Sequence, residues 1–231
     1  MNSDQIFKLT NFRDTLNPEI WQDGNMRMDA QVALLRIARA FVEFIDVDDL
    51  RLTDITISGS NCSFNYNDKS DIDLHLVADM TGPCSVDLKD LYMAKKSLFN
   101  DQHDIRIRGN AVEVYVQDDK EPHISNGIYS VLRGEWIKEP EHITEKPDIT
   151  NIENKYQVLT KQIQLAIKSK DHSEIEKLKV QIKRMRESGL EKSGEFGAEN
   201  MAFKLLRNSG ILERLWEAGN TAQDKELSLD K

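Results

Sequence analysis

Apolar residues recur at spacings of three and four after Asp29, which is the pattern of an amphipathic helix. The residues of this stripe are Leu34, Ile37, Ala38, Phe41, Phe44 and Ile45. Asp29 is the expected N-cap, because its side chain can accept hydrogen bonds from the free amides of the first turn. Residues 1–28 are polar and are interrupted by Asn17-Pro18 and Asp23-Gly24. They are expected to form an N-terminal arm that lies on the surface.

Four short segments after this helix alternate between apolar and polar residues, as half-buried β-strands do. They span residues 53–58, 71–77, 104–108 and 112–117. Gly109-Asn110, with Ala111, is the expected hairpin turn between the last two. A second helix is predicted across residues 86–99 from Leu88, Leu91, Tyr92 and Leu98, and a further hairpin across 128–137 with its turn at Arg133-Gly134.

The pattern becomes helical beyond a stretch rich in Glu and Lys that Pro140 and Pro147 flank. Two apolar stripes and a last segment follow, with Gly189 and Gly194 as the expected break before that segment. The predicted fold is α/β (α+β): a small mixed β-sheet flanked by helices, with a C-terminal helical module. The predicted organisation is an arm over 1–28, a core over 29–139, the helical module over 148–219 and a flexible tail over 220–231.

Composition limits the classes of partner. Of the 231 residues, 39% are apolar, which suffices for one sizeable core and an appended module. Forty acidic residues against 31 basic ones give a formal net charge of -9, which argues against broad, sequence-independent binding of DNA or RNA. Cys62 and Cys84 share no metal-ligand spacing, and the sequence shows no signal-peptide pattern or membrane-spanning apolar run. A soluble, cytoplasmic protein without a membrane partner is expected.

Alternation also brings ionisable side chains together on the face opposite the apolar one. This set consists of Asp71, Asp73 and His75 from one strand, Glu113 and Tyr115 from another, and Arg106 and Arg108 from a third. Three carboxylates on one face repel one another unless a cation lies among them. Carboxylate oxygens suit Mg²⁺ (or Mn²⁺), and an Asp-x-Asp pair on a strand presents both carboxylates to one point. Asp71, Asp73 and Glu113 are therefore the predicted metal ligands and catalytic residues.

The face of Glu113 follows from the pairing of its strand. If the 112–117 strand lies beside the 71–77 strand, Val112, Val114 and Val116 must share the buried face with Ile72, Leu74 and Leu76. Glu113 then lies on the aspartate face. His75 has two interpretations: it orients a metal ligand or lines the cleft, or it is an ordinary polar strand residue.

Gly59-Ser60 follows the first strand directly. Glycine permits a tight turn and a close backbone approach, and successive backbone amides in such a turn can bind phosphate oxygens. Gly59 and Ser60 are therefore candidates for binding a triphosphate. Lys69 and Arg106 are further candidates for the same role, and Arg106 could instead hold a nucleic-acid acceptor. The simpler interpretations are a solvated loop lysine and an arginine paired with neighbouring acids.

The segment ISGSNCSFNYNDKSDIDLHLV resembles the signature of the polymerase-β-like nucleotidyltransferase superfamily. That signature has Gly-Ser after an apolar residue and Asp-apolar-Asp-apolar on the next strand, here with twelve positions from Gly59 to Asp71. The resemblance covers residues 53–117 and extends to small phage-encoded predicted nucleotidyltransferases. It implies that Ser60 contacts the triphosphate and that Asp71 and Asp73 bind the metal. It also implies a third acid on a later strand, which Glu113 matches although Asp is more usual there.

The activity implied by this resemblance is transfer of a nucleoside monophosphate from a nucleoside triphosphate to a hydroxyl or similar acceptor, with release of pyrophosphate. The acceptor stays open between RNA, protein and a small molecule. The alternative is a catalytically silent nucleotide-binding or protein-interaction module, such as a sensor or a toxin- or antitoxin-type component. Retention of both aspartates and of Gly59-Ser60 disfavours this alternative.

Overall fold

A computed structural model of the chain describes residues 13–47, 50–81, 85–123, 125–142 and 147–229, except for the side chains of residues 85–87. The chain forms two compact units, which within these residues comprise 13–142 and 147–229. The first unit is mixed α/β and the second is helical. None of the described helices combines the length and the apolar composition that crossing a lipid bilayer requires.

The first unit contains eight strands and two long helices among its described residues. In chain order they are β1 (Trp21–Gln22), β2 (Asn25–Met26), α1 (Met28–Ile45), β3 (Leu52–Ser58), β4 (Ile72–Ala78), α2 (Ser85–Gln102), β5 (Arg106–Ile107), β6 (Asn110–Asp118), β7 (Ile128–Ser130) and β8 (Glu135–Lys138). Six of the strands form one mixed sheet in the order β5-β6-β4-β3-β7-β8, with β4 and β6 parallel and the other neighbours antiparallel. The prediction of a mixed sheet with helices is confirmed at this level, and the hairpin at Arg133-Gly134 is also present.

One face of the sheet forms the core of the first unit together with α1. The parallel register pairs Ile72 with Val112 and Leu74 with Val114, and all four are buried. Period-two alternation therefore places Asp73 and Glu113 on the other face, as the sequence predicts. The residues of α1 in this core are Ala30, Leu34, Ile37, Ala38, Phe41 and Ile45.

Helix α2 covers the outer edge of β6. The side-chain amide of Asn100 donates to the backbone oxygen of Val114 at 3.2 Å, and its Oδ1 accepts from the backbone N–H of Val114 at 3.1 Å. Strand β5 pairs with β6 only at residues 110–111, so the two bonds from Asn100 satisfy backbone groups of β6 that would otherwise lack a strand partner. Helix α2 buries Tyr92 and Phe99, whereas Leu91 and Leu98, which the sequence pattern assigned to the apolar stripe, are exposed.

The prediction of a surface arm is wrong for residues 13–28. Strands β1 and β2 form a hairpin that buries Ile20, Trp21 and Met26 in the core. Trp21 stacks on Trp136 with ring centroids 4.4 Å apart. The short apolar segment around Trp21 thus packs into the core, because Trp21 stacks on Trp136, more than a hundred residues further along the chain. Residues 1–12 lie outside the described residues.

Asp29 is not an N-cap. Helix α1 begins at Met28 after Arg27, so Asp29 lies in the first turn, and its carboxylate accepts from Arg108 at 2.6 Å. The hydrogen bond from Arg108 holds the pKa of Asp29 below its usual value. Arg108 and Gly109 both have positive φ and form the turn between β5 and β6, one residue earlier than predicted. Arg108 is therefore paired with Asp29 and is not part of the acidic face.

The second unit consists of four helices around its own core: α3 (Ile149–Ser169), α4 (His172–Ser193), α5 (Ala198–Asn208) and α6 (Ile211–Leu227). Gly189 lies inside α4 and does not break it. Glycine is needed here because a Cβ would lie 2.4 Å from Cβ of Glu199. Gly219 lies inside α6 for a similar reason, facing Lys179. Helix α6 continues past it and buries Ala222, so the predicted flexible tail is wrong for residues 220–227.

Candidate metal centre

Three carboxylates converge at the start of the two parallel strands. Asp73 and Glu113 are register partners on β4 and β6, and Asp71 directly precedes β4. One carboxylate oxygen from each residue lies within 4.8 Å of the other two, and all three residues are half-buried. The predicted common face for Asp73 and Glu113 is confirmed. Their spacing and burial make this cluster the candidate functional site.

The donor set of this cluster fits a divalent metal ion. Oxygen ligands around octahedral Mg²⁺ are separated by about 3.0 Å when adjacent and about 4.2 Å when opposite. The carboxylate oxygens of Asp71, Asp73 and Glu113 lie within 4.8 Å of one another, so rotation of these side chains would bring them to that spacing. All three are hard oxygen ligands, which Mg²⁺ and Mn²⁺ prefer. The three predicted ligands can therefore hold one such ion.

Gly59 leaves the space that the Asp73 carboxylate occupies. Its φ of 78° and ψ of −160° belong to a region that is essentially restricted to glycine. A Cβ at this position would lie 2.2 Å from Oδ2 of Asp73. The backbone N–H of Gly59 donates to Oγ of Ser125 at 3.0 Å, so this amide is already engaged within the protein. The structure thus gives Gly59 a role that the sequence did not suggest: it allows the carboxylate of a candidate metal ligand to approach the backbone.

Gly59→Ala is expected to weaken binding of divalent ions and to lower the free energy of unfolding by about 1–3 kcal/mol, because the backbone conformation becomes strained. The new Cβ would also displace the Asp73 carboxylate. Gly24→Ala is a matched control, since Gly24 has the same φ of 78° and nothing within 4 Å of its Cβ position. Titration with Mn²⁺ and thermal unfolding measure the two effects. Equal Mn²⁺ affinity in the two variants would contradict this role of Gly59.

Ser60 and Lys69 belong to the loop between β3 and β4. The Ser60 hydroxyl donates to Oγ of Ser70 at 2.9 Å, and the same Oγ accepts from the backbone N–H of Asn67 at 2.9 Å. Lys69 is exposed, and its backbone N–H donates to Oδ1 of Asn67 at 2.8 Å. These bonds hold the loop that leads into Asp71. Contact of Ser60 or Lys69 with a phosphate stays a prediction.

Asn61 positions the backbone of Asp71, which the sequence did not predict. It is fully buried, and its Nδ2 donates to the backbone oxygens of Asp71 at 2.7 Å and Ser70 at 3.2 Å. Its Oδ1 accepts from Asn17 at 2.8 Å, and its backbone oxygen accepts from Nε1 of Trp21 at 2.7 Å. A buried, fully used amide of this kind fixes local geometry, because each lost bond would leave a buried polar group unpaired.

Tyr115 holds one oxygen of Glu113. Its hydroxyl donates to Oε2 of Glu113 at 2.5 Å. Burial raises the pKa of Tyr115, and the charges of Asp73 and Glu113 act in the same direction, so the phenol stays protonated and remains a donor. The hydrogen bond orients the carboxylate of Glu113 toward a fixed position. Tyr115 is thus a positioning residue for the third carboxylate.

His75 is a neutral part of the same face. Its Nε2 lies 3.0 Å from Oγ of Ser58, and its ring stacks on Tyr115 with centroids 5.2 Å apart. Burial lowers the pKa of His75 to about 3. His123 and Lys96 lower it further, and a hydrogen bond with Gln117 acts in the opposite direction. At neutral pH it therefore carries no charge that could replace a metal ion. It supports Tyr115, which in turn bonds to Glu113.

Lys96 reaches this site from α2. Its Nζ lies 3.7 Å from the centroid of the Tyr115 ring, a cation–π contact. Burial lowers the pKa of Lys96, while the charges of Glu113 and Asp73 raise it, so the ammonium lies within the field of these carboxylates. The three carboxylates and this ammonium have a formal net charge of −2, which one divalent ion neutralises. No sequence signal distinguishes Lys96 from the other lysines on polar helix faces.

Arg106 lies on the acidic face by register but is paired elsewhere. It opposes Ala111, which shares a face with Glu113 two residues further along β6. Its guanidinium contacts the carboxylate of Asp104 at 3.0 Å and donates to the backbone oxygen of Gly109 at 3.3 Å. The simpler interpretation, pairing with a neighbouring acid, describes its contacts in this structure. Phosphate binding by Arg106 stays a prediction.

Comparison with models of known protein families gives no match, and comparisons with curated proteins and with solved structures give none either. The resemblance to nucleotidyltransferases therefore depends on the motif residues of the sequence alone. The fold is established at the level of a mixed α/β unit with a six-stranded sheet.

Proposed function

We propose that this protein is a metal-dependent nucleotidyltransferase that moves a nucleoside monophosphate from a nucleoside triphosphate to a hydroxyl or similar acceptor. One observation carries the proposal: Asp71, Asp73 and Glu113 bring three carboxylate oxygens within 4.8 Å of one another. The glycine of the Gly59-Ser60 motif supports it, since Gly59 leaves room for the Asp73 carboxylate. A purely structural sheet face has no need for such a convergence of like charges.

Asp71, Asp73 and Glu113 would hold Mg²⁺ or Mn²⁺ through their carboxylate oxygens. Such an ion neutralises the charge of the triphosphate and lowers the pKa of the attacking hydroxyl. Tyr115 keeps Glu113 in one orientation, and Asn61 and Ser60 keep the loop before Asp71 in place. The chain thereby presents fixed ligands, and little reorganisation is needed when substrate binds.

In the proposed reaction the acceptor oxygen forms a bond to the α-phosphorus of the nucleoside triphosphate. The bond between the α-phosphorus and the oxygen that bridges to the β-phosphorus breaks, and pyrophosphate leaves with that electron pair. The proton of the acceptor hydroxyl passes to solvent water. The products are the nucleotidylated acceptor and pyrophosphate, so the reaction needs no oxidant or reductant.

Transfer of an α-³²P label tests this function most directly, because only the α-phosphate remains with the transferred nucleotide. Each of the four nucleoside triphosphates is incubated with the protein, Mg²⁺ or Mn²⁺, and RNA, protein or small-molecule acceptors. We expect label in one class of acceptor, and no transfer when EDTA is present. Binding of a triphosphate without transfer to any acceptor would instead identify a silent nucleotide-binding module.

A further inference from the structure

The ammonium of Lys96 lies in the electrostatic field of Glu113 and Asp73. Among the described residues no hydrogen bond or ion pair engages it, and its contact is with the ring of Tyr115 at 3.7 Å. The neighbouring Lys95 differs, since its Nζ donates to the backbone oxygen of Phe44 at 3.2 Å. Lys96 is half-buried and offers three N–H donors, which an anionic oxygen would satisfy.

The position of Lys96 is fixed from two sides. Asn100, one helical turn further along α2, is bonded to both backbone groups of Val114. Tyr115, the next residue of β6, is held by its hydrogen bond to Glu113 and by stacking on His75. Lys96 therefore lies over a ring that is itself fixed, within the field of the candidate metal ligands. Lys96 is therefore a half-buried cation with a defined contact and is not simply a solvated side chain.

The electrostatic role of Lys96 must change when a divalent ion binds. Without metal, its charge partly offsets that of Glu113 and Asp73. With one divalent ion bound, the site as a whole has no formal net charge, but the ammonium and the ion repel each other and the N–H donors of Lys96 still have no hydrogen-bond acceptor. An anionic oxygen bound at the metal would supply that acceptor and would reduce the repulsion. In nucleotidyl transfer that anion is the polyphosphate of the substrate, and lysine binds phosphate as a point charge.

We propose that Lys96 binds a phosphate oxygen of the nucleoside triphosphate at the centre formed by Asp71, Asp73 and Glu113. This inference rests on the proposed function and adds a substrate-contacting residue outside the sequence motif. It assigns to α2 a direct part in the reaction. The helix supplies the cation on the side of the site that β6 borders.

Lys96→Met tests the inference, because Met keeps the apolar stem of the side chain and removes the charge. Two quantities are measured by titration: Mn²⁺ affinity without nucleotide, and affinity for α,β-methylene nucleoside triphosphates in Mg²⁺. We expect several-fold tighter Mn²⁺ binding, because a repelling cation is gone. We expect nucleotide binding about tenfold to hundredfold weaker, the effect of losing one charge-assisted hydrogen bond. Lys95→Met is the matched control and should change neither quantity.

Opposite changes in the two affinities distinguish substrate contact from a structural role, since damage to the fold weakens both. Lys96→Arg keeps the charge and should restore most of the nucleotide affinity. If Lys96→Met folds poorly by circular dichroism, Lys96→Gln replaces it. Nucleotide affinity equal to that of Lys95→Met would overturn the inference and leave the proposed function intact. Wild-type protein that binds Mn²⁺ but no nucleoside triphosphate would overturn the proposed function itself.

Discussion

Asp73→Asn is expected to abolish metal binding and nucleotidyl transfer while the protein remains folded, and Asp71→Asn is expected to do the same. Each change removes one charged oxygen from a group of three that lies within 4.8 Å. Mutation of a residue that hydrogen-bonds to a metal ligand commonly lowers metal affinity by about 10–100-fold. Loss of a ligand itself should lower the affinity further. Calorimetric titration with Mg²⁺ or Mn²⁺ and the α-label assay measure the two losses.

The stability of the Asn variants separates a metal site from a structural cluster. In metal-free buffer their Tm should equal or exceed that of the wild type, because repulsion between carboxylates is reduced. Added Mg²⁺ should raise the Tm of the wild type alone, since only a protein that binds the ion is stabilised by it. Asp118→Asn, at the far end of β6, is a control for loss of a carboxylate. Near-normal turnover in either variant would contradict the assignment.

Glu113→Gln should depress the rate of transfer far more than it weakens nucleotide binding. Glu113 is expected to complete the coordination of a second ion, which activates the acceptor hydroxyl. The triphosphate is expected to be held mainly by the ion on Asp71 and Asp73 and by the Gly59-Ser60 turn. The substituted amide retains an oxygen that can accept from Tyr115, so the surrounding geometry should persist. We expect the single-turnover rate to fall at least about a hundredfold, with the nucleotide Kd changed by less than about threefold.

Rapid-quench kinetics and equilibrium titration of the same Glu113→Gln preparation provide these two numbers. Without metal, the variant should be as stable as the wild type or slightly more stable, for the same reason of reduced repulsion. Full turnover in Glu113→Gln would refute the role of this residue. A parallel loss of rate and nucleotide affinity would instead indicate that Glu113 holds the metal that binds the triphosphate.

The carboxylate face could be predicted because side chains in a strand alternate strictly. Once Ile72 and Leu74 are buried, Asp73 must face the other way, and parallel pairing with β6 carries the same rule to Glu113. Neither statement needs knowledge of distant contacts. This is why the third acid was predictable even though it lies forty residues after Asp73 in the sequence.

The supporting residues could not be predicted, since their roles depend on contacts between distant segments. Lys96 lies near the site because Asn100, one turn further along α2, hydrogen-bonds to the backbone of β6 and holds the helix against that strand. Asn61 is buried only because Asn17 and Trp21 bond to it from a hairpin region about forty residues earlier. In the sequence each is one polar residue among many.

Glycines were misinterpreted for a related reason. Gly189 and Gly219 look like helix ends in the sequence, because glycine is a poor helix former. In the structure both lie within helices at points where another side chain approaches closely, Glu199 in one case and Lys179 in the other. The packing between helices outweighs the intrinsic preference of the residue. Local pattern alone does not distinguish the two situations.

The hydrogen bonds of Asn61 determine which segments of this chain must stay together in a truncated fragment or a chimera. Asn17 and Trp21 each bond to Asn61, and Asn61 bonds to the backbone of Asp71. A fragment that begins at α1 would therefore lack two of the groups that fix the aspartate loop, although every motif residue would be present. In a chimera with another protein that carries the same motif, the β1–β2 hairpin and the loop before β4 have to be transplanted together. The smallest transferable piece that keeps the candidate site intact is thus larger than the motif that indicates the site.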